Sequence, residues 1–107
     1  MIVRRARDGG LVEITFRLPA DHPADPVGVA GAFNDWDWEA TPLVACGDHL
    51  VGSTVVAIGS RYEFRYRTAD ARWFNDESAD DYVPNEFGGV NCVIDVTSGV
   101  DGGGSGC

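Results

Sequence analysis

The chain contains no lysine. Its eight basic residues are all arginine, against 17 acidic residues, for a formal net charge of −9. Binding nucleic acid needs clustered positive charge to neutralise phosphates, so nucleic acid is not an expected partner. Anionic membrane surfaces are disfavoured on the same ground. A neutral ligand meets no such penalty, and the acidity itself serves solubility. Long apolar runs are missing too, and nothing approaches the ~18 residues of a membrane helix. The charged start Met1-Ile2-Val3-Arg4-Arg5 has no apolar stretch behind it, so no signal peptide is expected. Cysteine is scarce and odd in number. Cys46, Cys92 and Cys107 have no metal-ligand spacing, which predicts free thiols in a reduced, cytoplasmic protein.

Catalytic motifs are also absent. There is no Gly-x-Ser-x-Gly, no P-loop, no Gly-x-Gly-x-x-Gly and no pair of histidines at metal spacing. His22 and His49 each stand alone, as surface residues rather than bases. Paired carboxylates can hydrolyse a glycosidic bond. Among 17 acidic residues some pair always lies close, so that pattern discriminates nothing. The run Asp76-Glu77-Ser78-Ala79-Asp80-Asp81 offers oxygen ligands for calcium but lacks the spacing and glycine of an EF-hand loop. It reads as a solvated acidic loop. The expectation is a non-enzyme with no cofactor and no metal.

No window carries a helical period. The period present is two. Val12, Ile14, Phe16 and Leu18 fall on one face of a strand, with Glu13, Thr15 and Arg17 on the other. Tyr62, Phe64 and Tyr66 alternate with Arg61, Glu63, Arg65 and Arg67. Further strands are expected at 27–32, 42–45, 49–58, 72–74 and 91–97. Prolines mark a loop at 19–26, and a long polar loop covers 75–89. At 107 residues this is one domain. About seven short strands joined by Gly, Pro and Asp turns predict an all-β, immunoglobulin-like sandwich. Residues 11–97 form that domain, 1–10 an N-terminal tail, and 98–107 a flexible glycine-rich tail.

The aromatics carry the functional signal. Trp36, Trp38 and Trp73 sit at strand ends or turns beside Asp and Asn. An indole set in a polar turn is either folded onto the core or displayed to a flat partner. A pyranose offers one face of C–H groups to stack on such a ring and a rim of hydroxyls that needs donors and acceptors. Arg65 and Asn91 are placed to supply that rim.

Four segments now stand in order: Val29-Ala30-Gly31-Ala32-Phe33-Asn34-Asp35-Trp36, Tyr62-Glu63-Phe64-Arg65-Tyr66, Trp73-Phe74-Asn75-Asp76 and Asn85-Glu86-Phe87-Gly88-Gly89-Val90-Asn91-Cys92-Val93-Ile94. This series resembles the family 48 carbohydrate-binding module. That is the early-set sandwich of isoamylases, glycogen branching enzymes and the β subunit of AMP-activated protein kinase. The resemblance spans residues 11–97. It implies binding of α-1,4-glucan as an oligosaccharide or polysaccharide. Trp36 and Trp73 match the two stacking platforms. Arg65 stands where the family has a lysine that bonds sugar hydroxyls, and its planar fork bonds with different geometry. Phe87 stands at the position of a ligand-threading leucine, and Asn91 matches an asparagine of the last segment. Many relatives carry the module as a structural appendage. The alternative is therefore a protein-interaction or regulatory module, whose acidity would steer a basic partner. A small hydrolase ranks third.

Overall fold

Alternating apolar residues bury one side of segments 11–19 and 61–68, and the chain forms long strands there. The computed structural model describes residues 2–19, 26–76, 79–86 and 88–97. Within them lie β1 (Ile2–Arg7), β2 (Leu11–Pro19), β3 (Val27–Gly31), β4 (Pro42–Cys46), β5 (His49–Ala57), β6 (Arg61–Thr68), β7 (Trp73–Phe74), β8 (Asp81–Pro84) and β9 (Val90–Asp95). A 3-10 turn, Trp38–Ala40, is the one helical element among the described residues. No helix there is long and apolar enough to cross a membrane.

The strands run in the order β1-β2-β5-β4-β3-β6-β9-β8, with β7 beside β6, and every pairing is antiparallel. The joint between the two halves is narrow. β3 and β4 share only the pairs Val27↔Leu43 and Gly28↔Pro42, where β2 and β5 are paired from Leu11↔Ala57 to Pro19↔His49. At this joint the sheet curls over, and its halves face each other across one core. Phe16 of β2 meets Phe64 and Tyr66 of β6 at ring-centroid distances of 5.1 and 6.3 Å. Val12, Ile14, Phe16, Val29, Phe64, Tyr66 and Ile94 are all fully buried or nearly so. Each such large side chain contributes roughly 1.5–3 kcal/mol on burial. On the far side an ion pair between Arg4 of β1 and Asp80, just before β8, links the two edge strands of the order.

Three expectations are corrected. Residues 2–7 are a strand rather than part of a tail. They pair with β2 from Ile2↔Phe16 to Arg7↔Leu11, and Gly9 and Gly10, at φ 77° and 74°, close the hairpin. The long polar loop at 75–89 contains β8, which pairs with β9 from Asp81↔Val93 to Pro84↔Val90. The described residues therefore hold nine strands, where about seven are expected. Cys46 is disulfide-bonded, while Cys92 is free and buried. Cys46 ends β4 beside the Gly47-Asp48 turn. The free-thiol argument for a reducing compartment loses that residue. The expected tail at 98–107 and most of the proline loop at 19–26 lie outside the described residues.

Candidate functional site

The segment after β3 sorts its two large rings in opposite directions. Gly31 has no side chain, and Phe33 uses that space to fold back onto Phe16 at 6.0 Å and Tyr62 at 6.5 Å. Asn34 then pins the turn. Its Oδ1 accepts from the Gly31 amide at 2.9 Å, and its Nδ2 donates to Val29 O at 2.8 Å and Thr41 Oγ1 at 3.0 Å. Asp35 and Trp36 follow in the left-handed region, at φ 57° and 60°. Asp tolerates that region, but a bulky residue there is uncommon and costs roughly 1–2 kcal/mol. The Trp36 amide closes the loop by donating to Gly31 O at 2.9 Å. Trp36 itself is left 38% exposed. Of the two readings of that indole, core or display, the structure selects display. Phe33 takes the core position instead.

β6 supplies the floor. Phe64, Tyr66 and Thr68 point inward, which turns Glu63, Arg65 and Arg67 outward. β7 brings Trp73 opposite Arg67, and Trp73 is 42% exposed. The Arg65 guanidinium lies over the Trp73 ring at 5.9 Å, and its Nε donates to Asn75 Oδ1 at 2.9 Å. Asn75 in turn donates through Nδ2 to Val90 O at 3.1 Å. The arginine is thereby aimed along the surface.

Trp36, Arg65, Trp73 and Asn91 line one cavity of about 680 Å³, together with Glu63, Asn85 and Glu86. Four of the five residues expected at the site are thus brought together. Phe87 lies outside the described residues. Asn91 is only 8% exposed. Its Nδ2 donates to Glu63 Oε1 at 3.0 Å, and its Oδ1 accepts from Asn85 Nδ2 at 3.1 Å. Asn85 also accepts from the Gly89 amide at 3.1 Å. Asn91 therefore braces Glu63 and Asn85, which share the cavity wall with it. Glu63, Asn85 and Glu86 escaped the sequence reading. Glu63 had a signal, because it alternates onto the same face as Arg65. Asn85 and Glu86 open the fourth segment of the resemblance, but no strand period marks the hairpin that carries them.

Behind the wall lies a buried polar cluster that anchors the end of β7. The Tyr66 hydroxyl donates to Asp76 Oδ2 at 2.5 Å, and the Tyr82 hydroxyl donates to Asp76 O at 2.5 Å. The Asp76 amide reaches Cys92 Sγ at 3.2 Å. Burial above all, and the neighbouring Asp76 carboxylate, push the Tyr66 hydroxyl far above its ordinary range. Burial likewise raises the Cys92 thiol to about 11. Both groups stay protonated and structural. The acidic run expected as a solvated loop is partly committed to such contacts. Asp76 is buried, Asp80 pairs with Arg4, and Asp81 accepts from Arg61 at 2.6 Å. No cluster of His, Cys, Asp and Glu suited to a metal ion occurs among the described residues.

Chemically, the cavity offers two partly exposed indoles, one guanidinium, amide donors and acceptors, and two carboxylates. No protein-family model matches the chain, and no curated protein matches it.

Proposed function

We propose that this protein binds α-1,4-linked glucans, such as glycogen or maltooligosaccharides, without transforming them. The observation that carries this reading is the cavity itself. Trp36 and Trp73, 38% and 42% exposed, line one cleft with Arg65 and the amide of Asn85. Indole faces take the C–H side of a pyranose, and the polar wall takes its hydroxyls. The curled all-β architecture is the setting in which an immunoglobulin-like early-set module of carbohydrate-binding family 48 would present such a cleft. In this reading Trp36 and Trp73 stack and Arg65 bonds hydroxyls. Asn91 orients Glu63 and Asn85, and Phe87 buttresses the ring.

An aromatic contact is worth about 0.5–1.5 kcal/mol beyond area burial. Two of them with a few wet hydrogen bonds give a dissociation constant on the order of 10 µM to 1 mM. Titration with maltoheptaose, followed by tryptophan fluorescence, tests this, with Trp73→Ala as the control. Saturation lost in Trp73→Ala supports the reading. No saturable change up to about 10 mM, or an unchanged response in the variant, sinks it. A stoichiometric protein retained from lysate despite excess glycogen would favour the interaction-module alternative.

A further inference from the structure

Of the two arginines at the Trp73 end of β6, only Arg65 lines the cleft. Arg67 stands on the same face, paired with Gly28 across β3 and with Trp73 across β7. Gly28 leaves its position on that face empty. A Cβ there would stand 2.0 Å from the Trp38 carbonyl oxygen and 3.0 Å from Cε3 of its ring. The 3-10 turn Trp38–Ala40 can lie on β3 only because residue 28 is glycine. So seated, Trp38 meets Arg67. The Arg67 guanidinium carbon lies over the Trp38 ring at 5.3 Å and over the Trp73 ring at 5.8 Å. With Arg65 over Trp73 at 5.9 Å, these side chains form a row, Trp38–Arg67–Trp73–Arg65.

We infer that Arg67 and Trp38 are positioning residues for Trp73, an inference that rests on the glucan-binding reading. Neither lines the cleft, yet both fix the ring that does. The backbone of β7 is pinned on both sides, by Thr68 to Arg72 and by the contacts of Asp76, but that fixes no side-chain torsion of Trp73. A half-exposed indole on so short a strand needs a partner to hold its side-chain torsions. A planar guanidinium can stack on two rings at once, which an ammonium cannot do as well. An indole ordered before binding loses less freedom when a sugar docks on it. The row also explains why Gly28 sits inside a strand, where glycine is otherwise unfavourable.

The test uses the full chain and the variants Arg67→Met, Arg67→Lys and Trp38→Leu. Two quantities are measured: maltoheptaose affinity by calorimetry, and the order parameter of the Trp73 indole N–H by nitrogen relaxation without ligand. Arg67→Met is expected to weaken binding about threefold to fivefold and to lower the order parameter. Arg67→Lys should recover part of both losses. If Arg67→Met does not fold, Trp38→Leu carries the test from the other end of the row, with the same signs expected. An unchanged Trp73 order parameter in the folded variants overturns the inference. So does tighter binding by Arg67→Met, which would mean that Arg67 occupied a face the sugar needs. Should the unsubstituted protein fail to bind maltoheptaose, the glucan reading falls alone, and the ligand-free order parameter still decides the role of the row.

Discussion

Gly31 and Phe33 compete for one volume: a Cβ on Gly31 would stand 2.6 Å from Cε2 of Phe33 and 2.9 Å from the Glu63 carbonyl oxygen. Gly31→Ala must therefore displace either the Phe33 ring or the β6 backbone. Overpacking of this kind costs about 1–3 kcal/mol. Urea denaturation should show a lower midpoint with an unchanged slope, and crowding at Glu63 should disturb the cleft wall.

Asn34 makes three hydrogen bonds that hold the turn ahead of Trp36. Asn34→Ala leaves the Gly31 amide and Val29 carbonyl without this partner. The expected loss is about 1–3 kcal/mol. Because Asp35 and Trp36 lie at positive φ, the freed turn should relax. Tryptophan emission and glucan affinity should then change together, at a temperature where the variant remains folded by circular dichroism.

Tyr66→Phe removes the hydroxyl that donates to the buried Asp76 carboxylate. The ring packing against Phe64 and Phe74 is retained, so the loss isolates the polar contact. Chemical denaturation should give a destabilisation of about 1–3 kcal/mol.

The acid limb of stability is carried in part by surface carboxyls. Asp81 is held below its ordinary value of 3.8, first by the Arg61 guanidinium and then by the Tyr82 amide. Asp95 is lowered by the Thr97 hydroxyl and amide, and Asp70 by Thr68 and then Arg72. Each group is more acidic folded than unfolded. The stability it contributes is present above the ordinary value and lost as pH falls through the lower, folded one. Arg61→Ala should return the Asp81 carboxyl toward its ordinary titration. Carboxyl-carbon shifts recorded between about pH 2 and 5 would show it. An Asp81 curve identical in the variant counts against the assignment.

Cys92 behaves in the opposite sense. Burial raises its thiol from 9.0 to about 11, so the fold favours the neutral form. Its contribution is complete below the ordinary value and is lost as pH rises through about 11. Iodoacetamide at mildly alkaline pH should label it about a hundredfold more slowly in the native protein than in urea. Mass spectrometry of the labelled peptide reads this directly.

Much of the architecture was legible because burial on one face forces a period of two. β2 and β6 alternate so strictly that their inward residues could be named from the sequence, and those residues form the core. β1 and β8 were not legible. Arg4, Arg5 and Arg7 hide the pattern of an edge strand, and β8 has only four residues, all at least partly exposed. An edge strand is held by backbone hydrogen bonds to a neighbour, and those leave little trace in composition. At the cleft, Trp36, Arg65, Trp73 and Asn91 were visible as residues of unusual type in turns or on a polar face. Glu63 shows only by alternating onto the face of Arg65, and Asn85 and Glu86 sit in a turn whose hairpin carries no strand period.

The sequence by itself determined the all-β class and the positions of the long strands. These follow from a short-range fact, alternation along a strand. The tertiary structure decided which aromatic rings are seen by solvent. Phe33 went to the core, Trp36 stayed at the surface, and Trp38 came to rest over Gly28 beside Arg67. That choice depends on residues brought together from β2, β3, β6 and β7. Direct pairing of β3, β6 and β7 makes Gly28, Arg67 and Trp73 neighbours, and the curl of the sheet at its narrow β3–β4 joint brings Phe16 of β2 onto Phe33.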